Sequence, residues 1–182
     1  MLLTCILEDN YFYKSFIFLR IMKKEKLLEI EKNMLLAAEK SLSFYLAHPF
    51  DARKGIRIWE LDFEKRTGIN LMNPFYDVAR KDVERIDAGR TERYEKLQPI
   101  ELVQRDIGHI AINNGIISII NGDLSYGTIQ EMVYAKILQK LNYLLITNKH
   151  ENHPWLVYHS TRIFTKKAKL EKFLEDLNAI HR

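Results

Sequence analysis

The sequence predicts an α/β fold: a three-layer, flavodoxin-like or Rossmann-like parallel sheet with helices on both faces, preceded by an N-terminal helical extension. Three observations lead there. Strand-like runs such as GIISIIN at 115–121 are apolar throughout, the pattern of strands buried on both faces. These runs alternate with amphipathic stretches of helical period. The chain has 182 residues, 47% of them hydrophobic, which is enough for one core without staples, and no internal repeat or linker divides it.

The elements follow in order. Leu27, Ile30, Met34, Leu35 and Ala38 share one helical face between Lys24 and about Leu42, so residues 1–42 read as an extension carrying an amphipathic helix and residues 43–182 as the α/β domain. SFYLAH at 43–48 is a short apolar strand ended by Pro49. Ile56, Trp59 and Phe63 make one face of a helix over 53–66 that Gly68 stops, and 69–73 is a second strand. Pro99 opens a helix whose Val103, Ile107, Ile110 and Ala111 are expected to face inward. The strand at 115–121 follows, then a helix from about 128 to 140, a strand at 143–147 and a closing helix over 169–180 with Leu170, Phe173, Leu174 and Leu177 as its stripe. The stretch between Pro74 and Gln98 breaks the alternation. It is charged, with little apolar periodicity, and reads either as a solvated excursion or as a lid or binding loop.

Composition excludes several classes. Cys5 is the lone cysteine, so neither an intrachain disulfide nor a cysteine-based zinc site can form, and a reducing, cytoplasmic setting is expected. The aromatic run Tyr11–Met22 is too short to span a bilayer and is interrupted by Lys14 and Arg20; it lacks the charge order of a signal peptide, and no membrane association is expected. A net charge of +4 selects no partner. Trp59, Phe63 and Phe173 are accounted for as core by their spacing, which leaves no stacking surface for a nucleic acid polymer. His150, His153 and His159 lack a completing carboxylate or thiol, so no metal is assigned; HPWLVYH at 153–159 reads as a pocket wall or subunit contact.

In a parallel sheet, ligands gather beyond the carboxyl ends of the strands, here at His48–Lys54, Asn73–Asp77 and Gly122–Glu131. Neither G-x-G-x-x-G nor G-x-x-x-x-G-K-[ST] is present, which argues against dinucleotide and P-loop sites. Ser125, Gly127 and Thr128 place small residues and backbone N–H groups at a helix start, a seat for a phosphate or sugar hydroxyl. By local pattern alone, Thr128-x-x-Glu131 is a capping box that would absorb Glu131 into the helix end. Asp106 borders the inner face of its helix, where it either pairs with an arginine such as Arg105 or lines the pocket. Arg53 is positioned to meet an anion at the same edge or to sit on the surface, with Asp51 as the cap of its helix.

Taken together, FYLAHPFDARKG, LMNPFYD, ELVQRDIGHI and GIISIINGDLSYGTIQEMVYA resemble, in that order, the nucleoside 2-deoxyribosyltransferases and the related nucleoside 5′-monophosphate N-glycosidases. The resemblance covers about Ser43 to Ile146. It implies that Glu131 is the nucleophile, captured at C1′ as a glycosyl ester, and that the helix N-terminus keeps it ionised. It further implies that Asp106 helps protonate the leaving base and that Tyr45 lines the pocket with Arg53, Ser125, Gly127 and Thr128 as substrate-binding residues. Six positions before the nucleophile the transferases carry an acid and the monophosphate glycosidases a serine; Ser125 stands there, favouring a 5′-monophosphate, although Asp123 lies close by. The substrate implied is a nucleoside or nucleotide, with hydrolysis slightly favoured over base exchange and no cofactor. A homodimer or higher homo-oligomer is implied as well. NAD glycohydrolysis and a non-catalytic nucleotide-sensing module are the alternatives. The N-terminal extension, the charged stretch after Phe75 and the HPWLVYH segment depart from the family pattern.

Overall fold

The computed structural model describes residues 42–76 and 98–181. The N-terminal helix and most of the charged 74–98 stretch lie outside the described residues. The described part holds five strands: β1 (Ser43–Ala47), β2 (Asn70–Met72), β3 (Gly115–Ile120), β4 (Leu141–Ile146) and β5 (Arg162–Phe164). Between and after them run α1 (Arg53–Thr67), α2 (Pro99–Ile112), α3 (Tyr126–Ile137), α4 (Pro154–His159) and α5 (Lys167–His181), with a 3-10 turn at Phe50–Ala52.

All strand pairs are parallel, in the order β2-β1-β3-β4-β5. This is the flavodoxin-like arrangement, in which the connections run outward in opposite directions from β1 and β3 and leave a crevice at their carboxyl ends. β3 and β4 are buried at every residue, and their two polar members, Ser118 and Asn142, satisfy each other through a hydrogen bond at 2.9 Å. Helices α2 and α3 cover one face and α1 and α5 the other. A β-carbon at Gly115 would stand 2.5 Å from the Leu141 carbonyl oxygen, so β3 reaches β4 at that point only because the residue has no side chain. Gly68 ends α1 in the left-handed conformation at φ 71°.

Alternation along β1 decides the site. Phe44 points to the α1/α5 face and stacks on Tyr143, whose ring meets Phe173 from α5. Tyr45 and Ala47 point the other way, into the core under α2 and α3 formed with Ile110, Ile116, Met132 and Leu144. Tyr45 thereby reaches the helix that carries Glu131.

Some expectations need correction. Strand β5 and helix α4 were not expected as separate elements. α3 begins at Tyr126 with Ser125 as its cap residue, so Thr128 is inside the helix and Glu131 lies in its second turn, beyond the reach of a capping box. The cap position of α1 is Ala52, with Asp51 in the preceding 3-10 turn. On α2 only Ile110 is buried; Val103 and Ile107 face a cavity and Ala111 is exposed. HPWLVYH forms α4 and a short flank, and none of its residues lines that cavity.

Candidate active site

A cavity of about 490 Å³ opens at the carboxyl ends of β1, β2 and β3. Its walls come from the turn after β1 (His48–Asp51), the residues after β2 (Pro74, Phe75), the inner face of α2 (Leu102 to Ile110) and the start of α3 with its preceding loop (Asp123 to Tyr134). Glu131 and Asp106 both line it. The fold therefore brings two carboxylates from separate helices to one concave surface, the arrangement that acid–base and covalent chemistry requires.

Glu131 is held from beneath. The Tyr45 hydroxyl donates to its Oε1 at 2.5 Å. This leaves Oε2 as the oxygen available to a ligand. Tyr45 is fully buried and is not part of the cavity surface; it stands behind Glu131, bonded to it, where it was expected to line the pocket. Burial drives the Glu131 carboxyl up to about 8; the Tyr45 hydrogen bond opposes this, Asp106 adds to it and Arg105 opposes it. The expectation that the helix N-terminus keeps Glu131 ionised is thus corrected: in the second turn the dipole has faded and desolvation outweighs it, so the carboxyl is shifted toward its protonated form. The Tyr45 phenol is raised as well, chiefly by burial and then by Glu131, and it stays a donor.

Asp106 is paired. Arg105 Nε and NH2 both donate to its Oδ1, at 3.0 and 2.7 Å. The remaining guanidinium nitrogen, Arg105 NH1, is buried without a partner at the cavity wall. Arg105 was considered in the sequence only as a partner for Asp106; its place in the wall depends on α2 being turned toward the cavity.

At the start of α3, Ser125, Gly127 and Thr128 all line the cavity, as expected. The Ser125 side chain makes no capping hydrogen bond, and Thr128, 1% exposed, has an Oγ1 with no partner. First-turn N–H groups and two hydroxyls are thus available to an anion or a sugar. Arg53 is elsewhere. Its NH1 donates to the Phe50 carbonyl at 3.2 Å and its guanidinium lies 3.8 Å from the centre of the Phe50 ring, so it braces the turn after β1 and is absent from the cavity wall. The structure thus places Arg53 behind the cavity wall, away from the α3 residues it was expected to join, with its Nε buried and unpartnered. Residues of the segments His48–Lys54 and Asn73–Asp77, expected at this edge, supply the opposite wall, where His48 and Phe75 pack at 5.0 Å and Phe50 meets Phe75 edge-on at 5.4 Å. The aromatic contact between the β1 and β2 loops is a tertiary fact that spacing does not report.

No protein-family model matches this sequence, and no curated protein matches it. Among solved structures, the 2-deoxyribosyltransferase of the psychrotolerant bacterium Bacillus psychrosaccharolyticus is similar over 71% of this chain and 90% of that one, at 19% identity and a TM-score of 0.53. The chain has the fold of that deoxyribosyltransferase. The Clostridium botulinum CMP N-glycosidase BcmB also aligns, over 73% of this chain and 97% of that one, at 19% identity and a TM-score of 0.47. The deoxyribosyltransferase-like α/β fold expected from the sequence is therefore present, with its layers and parallel sheet.

Proposed function

We propose that the protein is an enzyme that cleaves the N-glycosidic bond of a (2′-deoxy)nucleoside or its 5′-monophosphate through a covalent ester at Glu131. The observation that carries this reading is the Tyr45–Glu131 contact on a wall shared with Asp106. A half-buried carboxyl fixed at one oxygen and open at the other is suited to attack a single carbon, and the deoxyribosyltransferase fold adds support.

The proton inventory is economical. A carboxylate nucleophile must lose a proton, and a departing nucleobase must gain one. In the resting site Glu131 holds it. As substrate binds, that proton passes to the base nitrogen by way of the Asp106 carboxylate; Glu131 Oε2 then attacks C1′, and the C1′–N bond breaks with its electron pair on the base, which leaves neutral. Water hydrolyses the glycosyl ester to give the free sugar, or a second base displaces Glu131 to give a new nucleoside; either step returns a proton to the site. Hydrolysis is slightly favoured.

Ser125, the first-turn N–H groups of α3 and Thr128 Oγ1 would receive the 5′ end of the substrate. A hydroxyl there admits a phosphate where a carboxylate would repel it. The aromatic wall of His48, Phe75 and Phe50 offers a flat surface for the base.

The test is incubation with deoxynucleosides and with their 5′-monophosphates, each with and without a second free base, followed by chromatography. Release of base without exchange identifies a hydrolase, and a new nucleoside identifies a transferase. Full activity in Glu131→Ala would sink the mechanism in both forms.

A further inference from the structure

A second polar assembly ends on the same cavity. Glu60 on α1 is 0% exposed and accepts from Arg57 NH1 at one oxygen and from Asn73 Nδ2, at 2.7 Å, on the other. Because a carboxylate can only accept, the Asn73 amide is forced to turn its Nδ2 toward Glu60 and its Oδ1 away. That Oδ1 faces His48 Nε2 at 3.3 Å and also accepts from the Phe75 N–H at 3.1 Å. Nε2 must therefore carry the hydrogen. The other ring nitrogen, Nδ1, lies 3.1 Å from the Pro49 carbonyl oxygen, again an acceptor.

His48 is thus set between two acceptors, a geometry that only the doubly protonated ring satisfies. Burial opposes the charge: the ring is 4% exposed and its pKa is lowered to about 4, chiefly by desolvation, while both hydrogen bonds pull the other way. The charged groups around it are Arg53, Arg57 and Glu60 from α1, Asp51 from its own turn, Arg105 and Asp106 from α2, and Asp123 and Glu131 across the cavity; Arg53 is bonded to the Phe50 carbonyl and keeps a buried Nε without a partner. Four of these are carboxyl side chains on the cavity wall, and the single lining guanidinium among the described residues already spends two nitrogens on Asp106. A phosphate entering this cavity therefore meets one uncommitted guanidinium nitrogen, Arg105 NH1, and the N–H groups that open α3, set against four carboxyl side chains.

We propose that His48 supplies a further positive charge: a phosphate seated in the cavity draws a solvent proton onto Nδ1, and the imidazolium, held by the Pro49 carbonyl and Asn73 Oδ1, favours nucleoside 5′-monophosphates over free nucleosides increasingly as pH falls. Two negative charges about 8 Å away, at an effective dielectric of about 20, favour an imidazolium by about three pH units. A shift of that size carries His48 from about 4 to near neutrality. The Arg57–Glu60–Asn73 chain acts by fixing the ring's tautomer, so these are positioning residues. The inference rests on the nucleotide reading of the cavity.

The experiment uses the full chain as Glu131→Gln, to prevent turnover, with the His48 ring nitrogens followed by NMR at pH 6.5 during addition of deoxynucleoside 5′-monophosphates, deoxynucleosides or inorganic phosphate. Monophosphates should convert the ring to its doubly protonated form, and nucleosides should leave it neutral. In calorimetry, monophosphate affinity should rise about tenfold from pH 8 to pH 6 relative to the same protein carrying His48→Gln, which corrects for titration of the phosphate itself. Monophosphate binding with a neutral ring, or equal pH dependence with and without His48, overturns the proposal and leaves the glycosidic reading intact. A ring protonated by inorganic phosphate in a protein that binds no nucleotide supports the anion response and removes the glycosidic reading. No change with any of the three overturns the proposal.

Discussion

Glu60 and Glu131 are both carboxyls on helices packed against the sheet, the first fully buried and the second half-buried at a cavity wall. They differ in company. Glu60 has a guanidinium on one oxygen and an amide on the other, a buried ion pair completed by hydrogen bonds. Glu131 has one phenolic hydroxyl and a neighbouring acid, and its carboxyl is pushed up to about 8. The fold satisfies the first and leaves the second unsatisfied toward a cavity. An acid with too few partners costs stability and has a use; one with a full set of partners holds a loop in place. Asn73, at the end of β2, shows what Glu60 holds: the junction on which His48 and Phe75 rest.

The largest effect should come from Glu131→Gln, which keeps size and burial while removing the nucleophile. Base release should fall on the order of 10⁴-fold or more. The same substitution should raise the thermal midpoint. The folded carboxyl is raised to about 8 from 4.5, so burying it costs nothing below pH 4.5 and costs progressively more as pH rises from 4.5 to 8. The gain from glutamine should therefore be absent at pH 4, full above pH 8, and amount to several degrees, read by calorimetry across that range.

Glu60→Ala should do the reverse and destabilise the protein by about 3 kcal/mol, because Arg57 is left charged and buried; denaturant unfolding measures it. Destabilisation by Glu131→Gln together with no loss of stability in Glu60→Ala would reverse the assignment of which one is structural.

Tyr45→Phe sharpens the comparison. Removing the hydroxyl should lower kcat by roughly 10- to 100-fold, the cost of one misplaced orienting group. Since the hydrogen bond holds the Glu131 pKa down, its loss should move the Glu131 limb of the pH–rate profile to higher pH. An unmoved limb would mean that Tyr45 does not govern Glu131.

The smallest effect concerns acid stability. With its pKa depressed to about 4 from 6.5, His48 contributes stability that is complete above pH 6.5 and lost as pH falls toward 4. His48→Gln should flatten the wild-type slope of thermal midpoint against pH in that window.

Much of this was readable before folding. The apolar runs became β1, β3 and β4, and the helical stripes became α1, α3 and α5, because periodicity is a local property of a chain whose strands are buried on both faces. Glu131, Asp106, Ser125, Gly127 and Thr128 reached one cavity as expected from their place beyond strand ends or on a helix face. Arg53 did not, since its long side chain found Phe50 three residues back, a contact that spacing does not report. The Glu60–Asn73–His48 chain joins three elements separated along the sequence, so no local pattern marks it.

The sequence by itself determined the class of fold, the succession of elements from β1 to β4 and the closing helix, and which acids stand near the carboxyl edge, since these depend on hydrophobic period and on neighbours within a few residues. Only the tertiary structure decided the state of those acids. Protonation responds to burial and to charges several ångströms away in space, and it took the packing of α3 over Tyr45 and α2 to turn an apparent helix cap into a carboxyl shifted toward its protonated form at the floor of a cavity.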